Sequence, residues 1–203
     1  MLGETIGILV GGQSTRMGRP KALIEIEGGT LIERTVAVAR QVSDNVVLLG
    51  TPPFQLPESL TSMPVWPDGR ADRGPIGGLH ALLSQMEGHW GVLLSCDMPN
   101  LNAPFLKWLI STAYFQDAQA VVCETEEPES AEGFRVHPCC AAYRADARAV
   151  VENEIAAERY AMRSLLGGLQ VHPLALLGAH ACWVENWNEP ADIGDMSSPE
   201  PRL

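Results

Sequence analysis

The run I-G-I-L-V at residues 6–10, cut off by Gly11 and Gly12, constrains the fold of this chain more than any other feature. Near-continuous hydrophobicity over so few residues suits a strand buried on both faces, as strands are in a parallel sheet covered by helices. Leu31 to Val42 then shows a helical apolar stripe, with Thr30 as N-cap and Glu33 as its capping-box partner. Val46 to Leu49 is expected as a second strand and Met63 to Trp66 as a short third, closed by Pro67 and Asp68. A loop rich in glycine and proline leads into a helix from Ile76 to Met86, and G-V-L-L-S-C-D at 91–97 reads as a strand ending at Asp97. Further on, the pattern predicts a helix over Phe105–Phe115, a strand over Ala120–Cys123 and an acidic surface excursion with five glutamates over Glu124–Glu132. A returning strand over His137–Tyr143, helices over Arg144–Glu158 and Met162–Leu166, an extended Val171–Leu174 and a last helix from about Pro190 complete the reading. Strands and helices alternating at these lengths argue for a three-layer, Rossmann-like α/β fold with a mostly parallel sheet. Its ligand crevice should lie outside the carboxyl ends of the strands.

With 203 residues, no internal repeat and no low-complexity linker, the chain 1–203 is expected to form one domain that buries its core without disulfides. The formal charge of -11, from 25 acidic against 14 basic side chains, disfavours a broad polyanion-binding surface, so nucleic acid is not the expected partner. The basic groups are clustered instead: Arg16, Arg19 and Lys21 fall within six residues. Five cysteines, two of them adjacent at Cys139 and Cys140, make no disulfide framework and point to a reducing cytoplasm. The first residues carry no basic n-region and the first apolar run is too short to span a bilayer, so neither a targeting segment nor a membrane is expected.

Between the first strand and the first helix lies G-G-Q-S-T-R-M-G-R-P-K-A-L, where small residues let backbone amides approach phosphate oxygens closely. Gly11, Gly12 and Gly18 supply that clearance, and Arg16 and Lys21 are placed to neutralise a triphosphate. The pattern is not G-x-G-x-x-G, and its lysine is not followed by Ser or Thr, so a dinucleotide fingerprint and a Walker A loop are both disfavoured. Asp97, pinned at a strand end, is suited to anchor Mg2+ that bridges phosphates, although an Asx-turn ahead of Met98 and Pro99 is the structural alternative.

The string L-V-G-G-Q-S-T-R-M-G-R-P-K-A-L, beginning at Leu9 and Val10, resembles the signature of the molybdenum cofactor guanylyltransferase family and related nucleotidyltransferases. The resemblance extends through L-L-S-C-D-M-P-N-L to Asn188 and implies a fold of the nucleotide-diphospho-sugar transferase type. It implies that the glycine loop and Arg16 wrap the triphosphate, that Lys21 contacts it during transfer and that Asp97 holds the metal. Asp68, ahead of the Gly74, Pro75, Gly77 and Gly78 loop, resembles the family's second pocket aspartate, close to nucleotide and metal. Asn186 and Asn188 in V-E-N-W-N-E-P resemble its Asn-x-Asn-Thr-Pro ending on the acceptor side, with Glu189 replacing threonine. The implied partners are GTP and the molybdopterin cofactor, with transient contacts to molybdoenzymes or their chaperones. CTP is the alternative donor, because the Arg-Met-Gly-x-x-Lys spacing is one residue short of the guanylyltransferase habit. Gly50 also occupies a position where guanine-specific enzymes often have a base-reading asparagine.

Other candidates read more simply. His137, Cys139, Cys140, His180 and Cys182 match no compact zinc spacing, and the cysteines are expected as buried thiols. Trp183 and Trp187 are expected to pack in the last strand rather than stack on a pterin. Arg70, Asp72 and Arg73 are expected to order a surface loop.

Overall fold

The computed structural model describes residues 3–11, 20–26, 28–68, 73–130 and 133–187. Its strands in chain order are β1 (Thr5–Leu9), β2 (Glu25–Ile26), β3 (Gly29–Thr30), β4 (Val46–Leu49), β5 (Val65–Trp66), β6 (Trp90–Ser95), β7 (Ala120–Glu126), β8 (Phe134–Arg144) and β9 (Val171–Leu176). The helices are α1 (Leu31–Arg40), α2 (Pro75–Gln85), α3 (Ala103–Phe115), α4 (Arg148–Ala156) and α5 (Met162–Gly167). Seven strands form one sheet in the order β5-β4-β1-β6-β8-β7-β9, and β2 and β3 form a small separate hairpin. Within the large sheet β8 runs against both of its neighbours, and every other pairing is parallel.

The expected three-layer α/β architecture is therefore present, and two apolar layers hold it. On one face Ile6, Ile8, Val46, Leu48, Val92 and Leu94 pack with Ile32 and Val36 of α1 and Phe105, Leu106 and Leu109 of α3. On the other, Val47, Leu49 and Leu93 pack with Ile76, Leu79 and Leu82 of α2 and Val151 of α4. Alternate residues of each central strand thus enter opposite layers, which accounts for apolar runs without polar interruptions. The capping box at α1 forms as expected: Thr30 Oγ1 accepts from the Glu33 amide at 3.4 Å, and the Thr30 amide donates to Glu33 Oε2 at 2.9 Å.

Three expectations need correction. The acidic excursion begins later than Glu124, because Glu124, Thr125 and Glu126 continue β7 by pairing with Val136, Arg135 and Phe134 of a longer β8. The stretch expected to be one helix from Arg144 starts as a 3-10 turn at Ala145–Ala147, and the α-helix begins at Arg148. Trp183 lies in a 3-10 helix, Gly178–Val184, rather than in a strand.

Candidate functional site

Strand register places the site. Trp66, Leu49, Leu9 and Ser95 are successive partners across β5, β4, β1 and β6. One residue beyond that row stand Pro67, Gly50, Val10 and Cys96, and two beyond it stand Asp68, Thr51, Gly11 and Asp97. Residues scattered through the first half of the chain thereby emerge together at one carboxyl edge, where parallel α/β sheets hold their ligands.

On the β4 side the edge is lined with glycine. The Val10 amide donates to the Leu49 carbonyl at 3.0 Å, and the Gly50 amide to the Trp66 carbonyl at 2.9 Å. Gly50 has a φ of 87°, and a Cβ on it would stand 3.5 Å from the Gly11 backbone and 3.8 Å from Asp68 Oδ2. The left-handed backbone calls for glycine there, while the Gly11 backbone lies at ordinary contact distance. Gly77, in the first turn of α2, faces Asp68: its Cβ would meet Asp68 Cβ at 3.2 Å and Oδ2 at 3.4 Å. The Asp68 carboxylate therefore lies against the amino end of a helix, where a negative charge is favoured.

On the β6 side, Lys21 Nζ stands 3.5 Å from Asp97 Oδ2, with the two side chains only 18% and 13% exposed. Lys21 is held by its surroundings. It opens a 3-10 turn whose next residue, Ala22, is buried in the main core. Ile24 and Ile26 then form a small apolar cluster with Leu31, against which Trp187 packs. The Trp187 amide donates to the Asp97 carbonyl at 2.9 Å. One residue near the chain end thus joins the segment carrying Lys21 to the loop carrying Asp97.

One contact of Asp97 was not anticipated from the sequence. Ser95 Oγ donates to Asp97 Oδ1 at 2.5 Å. The only sequence signal for it is the two-residue spacing, which puts both side chains on one side of an extended segment. The half-buried thiol of Cys139 lies within the field of the same carboxylate. Burial, reinforced by the nearby Asp97 charge, pushes the thiols of Cys139 and Cys96 up to about 12, so both stay neutral beside the carboxylate.

Of the sequence candidates, Leu9, Val10, Gly11, Gly50, Asp68 and Gly77 share the glycine-lined part of the edge, and Lys21 and Asp97 form the ion pair. Asn186 directly precedes Trp187. Gly12, Arg16, Gly18, Arg70, Asp72, Asn188 and the helix expected near Pro190 lie outside the described residues. Arg73 is described and half-buried rather than a plain surface residue, with its Nε buried and lacking a hydrogen-bond partner. The thiols of Cys123 and Cys140 are buried against each other. Among the described residues no three His, Cys, Asp or Glu side chains gather as a metal site. Trp183 packs on Phe105 and His180, with ring centroids 5.6 and 4.4 Å apart. No helix among the described residues is long and apolar enough to cross a membrane.

The mostly parallel sheet with one reversed strand presents, at one carboxyl edge, glycines beside the Lys21–Asp97 pair, an α/β architecture suited to a phosphate-bearing ligand. The solved structure titled molybdopterin-guanine dinucleotide biosynthesis protein A from Archaeoglobus fulgidus shares the fold with a TM-score of 0.76 at 22% identity, covering 94% of this chain and 95% of that one. A 2-C-methyl-D-erythritol 4-phosphate cytidylyltransferase from Thermus thermophilus shares it with a TM-score of 0.67 at 17% identity, covering 93% and 94%. The family model for the MobA-like NTP transferase domain matches residues 6–174, and the chain belongs to that family. A protein of Synechococcus elongatus named probable molybdenum cofactor guanylyltransferase is 31% identical over 191 residues, 91% of this chain and 93% of its own length. One of Syntrophotalea carbinolica, named molybdenum cofactor guanylyltransferase, is 26% identical over 165 residues, 81% and 74% of the two chains.

Proposed function

We propose that this chain is a Mg2+-dependent, cytoplasmic molybdenum cofactor guanylyltransferase that transfers GMP from GTP to the phosphate of the molybdopterin cofactor and releases pyrophosphate. The observation that carries this reading is the Lys21–Asp97 pair, 3.5 Å apart, at the same sheet edge as Gly11, Gly50 and Gly77. The names of the relatives support the choice of substrates.

A divalent cation fits the Asp97 position. The carboxylate is a hard oxygen donor, and a cation, the Lys21 ammonium, already stands at its Oδ2. Asp97 would hold the ion from the protein side, with Lys21 beside it. When bound, Mg2+ supplies charge neutralisation and alignment of the phosphates.

The remaining work belongs to the chain. The edge formed by Gly11, Gly50 and Gly77, with Leu9, Val10 and Asp68, seats the nucleotide against backbone amides. Lys21 and Arg16 neutralise charge that builds on the leaving phosphates, and Gly12 gives backbone amides clearance to approach them. Asn186 and Asn188 hold the acceptor. An oxygen of the acceptor phosphate forms a bond to the α-phosphorus, the bond from that phosphorus to the α–β bridging oxygen breaks, and pyrophosphate leaves with that oxygen. No protein nucleophile takes part, so rate comes from alignment and electrostatics.

CTP is the competing donor, because Gly50 presents no side chain with which to read a guanine edge. A titration of GTP, CTP, ATP and UTP with Mg2+, with and without molybdopterin, decides between the readings by pyrophosphate release. Release with GTP that requires molybdopterin is expected. Release with CTP alone assigns the chain to cytidylyl transfer, and no acceptor-dependent release with any nucleotide overturns both.

A further inference from the structure

The two oxygens of Asp97 have different neighbours. Oδ1 accepts the Ser95 hydroxyl at 2.5 Å, whereas Oδ2 faces Lys21 Nζ at 3.5 Å. Ser95 is itself fixed, being the last residue of β6 and the partner of Leu9 in β1. Its hydroxyl therefore hangs from the rigid sheet, while Asp97 lies past the strand end, held through its main-chain carbonyl by Trp187. A carboxylate with only the main chain anchored can rotate about χ2, exchanging its oxygens. A hydroxyl donor at one oxygen removes that freedom and leaves the other aimed at whatever cation is present.

We propose that Ser95 is a positioning residue: its hydroxyl fixes the Asp97 carboxylate so that Oδ2 is the oxygen presented to a cation, to the Lys21 ammonium in the nucleotide-free protein and to the divalent ion that accompanies the triphosphate. This rests on the function proposed above. Donors that orient a ligating group from behind govern its affinity without touching the ion. Cys96 and Cys139 cannot substitute for Ser95 in this role. Thiols are weak donors, and neither has a hydrogen bond to Asp97 among the described contacts.

The test uses Mn2+ as the probe, titrated into the full chain with a non-hydrolysable GTP analogue and followed by electron paramagnetic resonance, alongside melting curves. Wild type, Ser95→Ala, Ser95→Thr and Asp97→Asn are compared. Ser95→Ala is expected to weaken Mn2+ binding by about tenfold, the lower end for loss of an orienting donor. Its melting temperature should match wild type, and Ser95→Thr, which keeps the hydroxyl, should bind like wild type. Asp97→Asn should weaken binding further. If Asp97→Asn weakens binding and Ser95→Ala does not, the positioning role is overturned and the metal reading survives. If Ser95→Ala and Ser95→Thr weaken it equally, the hydroxyl is not the cause and the role is again overturned. If Asp97→Asn and wild type bind Mn2+ alike, or neither binds it, the metal reading itself fails and takes the Ser95 role with it.

Discussion

At the scale of single residues, the role proposed for Lys21 can be tested apart from stability. Its ammonium stands at the mouth of the site, and its helical turn is held by the burial of Ala22 and Ile24, not by the charge. Lys21→Ala is therefore expected to lower the rate of pyrophosphate release by on the order of 100-fold, roughly 3 kcal/mol of transition-state stabilisation. The melting temperature should stay within about 3 °C of wild type, the change that about 1 kcal/mol produces in a chain of this length. Parallel loss of activity and melting temperature would make Lys21 a structural ion-pair partner instead. The residues of this region were unequally readable in the sequence. Lys21 and Asp97 stood out because a lone lysine after a glycine loop and an aspartate ending an apolar strand are both local patterns. Ser95 and Trp187 did not, because their roles depend on partners that only the folded chain supplies: the Asp97 carboxylate for one, the Asp97 carbonyl and the Ile24, Ile26 and Leu31 cluster for the other.

At the scale of elements, the placement of the site depends on how closely α2 lies on β1, β4 and β6. Missing side chains make that approach possible. A Cβ on Gly7 would fall 2.5 Å from Leu49 Cδ1 and 3.2 Å from Leu82 Cδ1, and one on Gly91 would fall 3.0 Å from Leu82 Cδ2. One on Gly78, on the helix itself, would meet Leu9 Cδ2 at 2.4 Å. Leu49 and Leu82 are fully buried, so neither can swing into solvent to make room. Gly7→Val is expected to destabilise the fold by about 1–3 kcal/mol through overpacking, read as a lower urea midpoint with an unchanged slope. An unchanged midpoint would mean that α2 has room to move away. Elements with their own signals were legible from sequence: α1 through its capping box, α2 through Pro75 in its first turn, and β1, β4 and β6 through apolar runs. Elements that depend on distant partners were not. The two-residue strands β2 and β3 are too short to show a period, and the glutamates of β7 pass for a surface loop until β8 pairs with them. The sheet order itself, with β8 reversed beside β6, is non-local and left no mark in the periodicity.

At the scale of the whole molecule, acid acts on stability through two sets of groups that titrate in different ranges. Glu33 is held below the ordinary carboxylate value first by the Ser59 hydroxyl and then by Thr30, and Glu154 first by Arg159 and then by Ser164. Carboxylates of this kind add stability above the unfolded value near 4.5 and lose it as pH falls through their lower folded values. His137 acts earlier. Its ring, on the inner stretch of β8 with Nε2 2.8 Å from Thr125 Oγ1, is pushed down from 6.5 to about 4 by burial and then by the Arg135 charge. The folded chain thus keeps His137 neutral at pH values where the unfolded chain protonates it. Stability from this source is full above pH 6.5, falls as pH drops from 6.5 to about 4, and is level below that. The formal charge of -11 works in the opposite sense, since adding protons relieves self-repulsion in the compact state. A single pH profile of the wild type mixes the two. His137→Gln removes the local term and keeps a side chain able to bond Thr125, while the global term stays common to both proteins. The difference in unfolding free energy, wild type minus His137→Gln, measured by urea titration at steps from pH 7.5 to 4, isolates the histidine. That difference is expected to decline steadily below pH 6.5. A difference that is independent of pH across this range would show that His137 titrates alike in the folded and unfolded chain, and that burial does not hold it neutral.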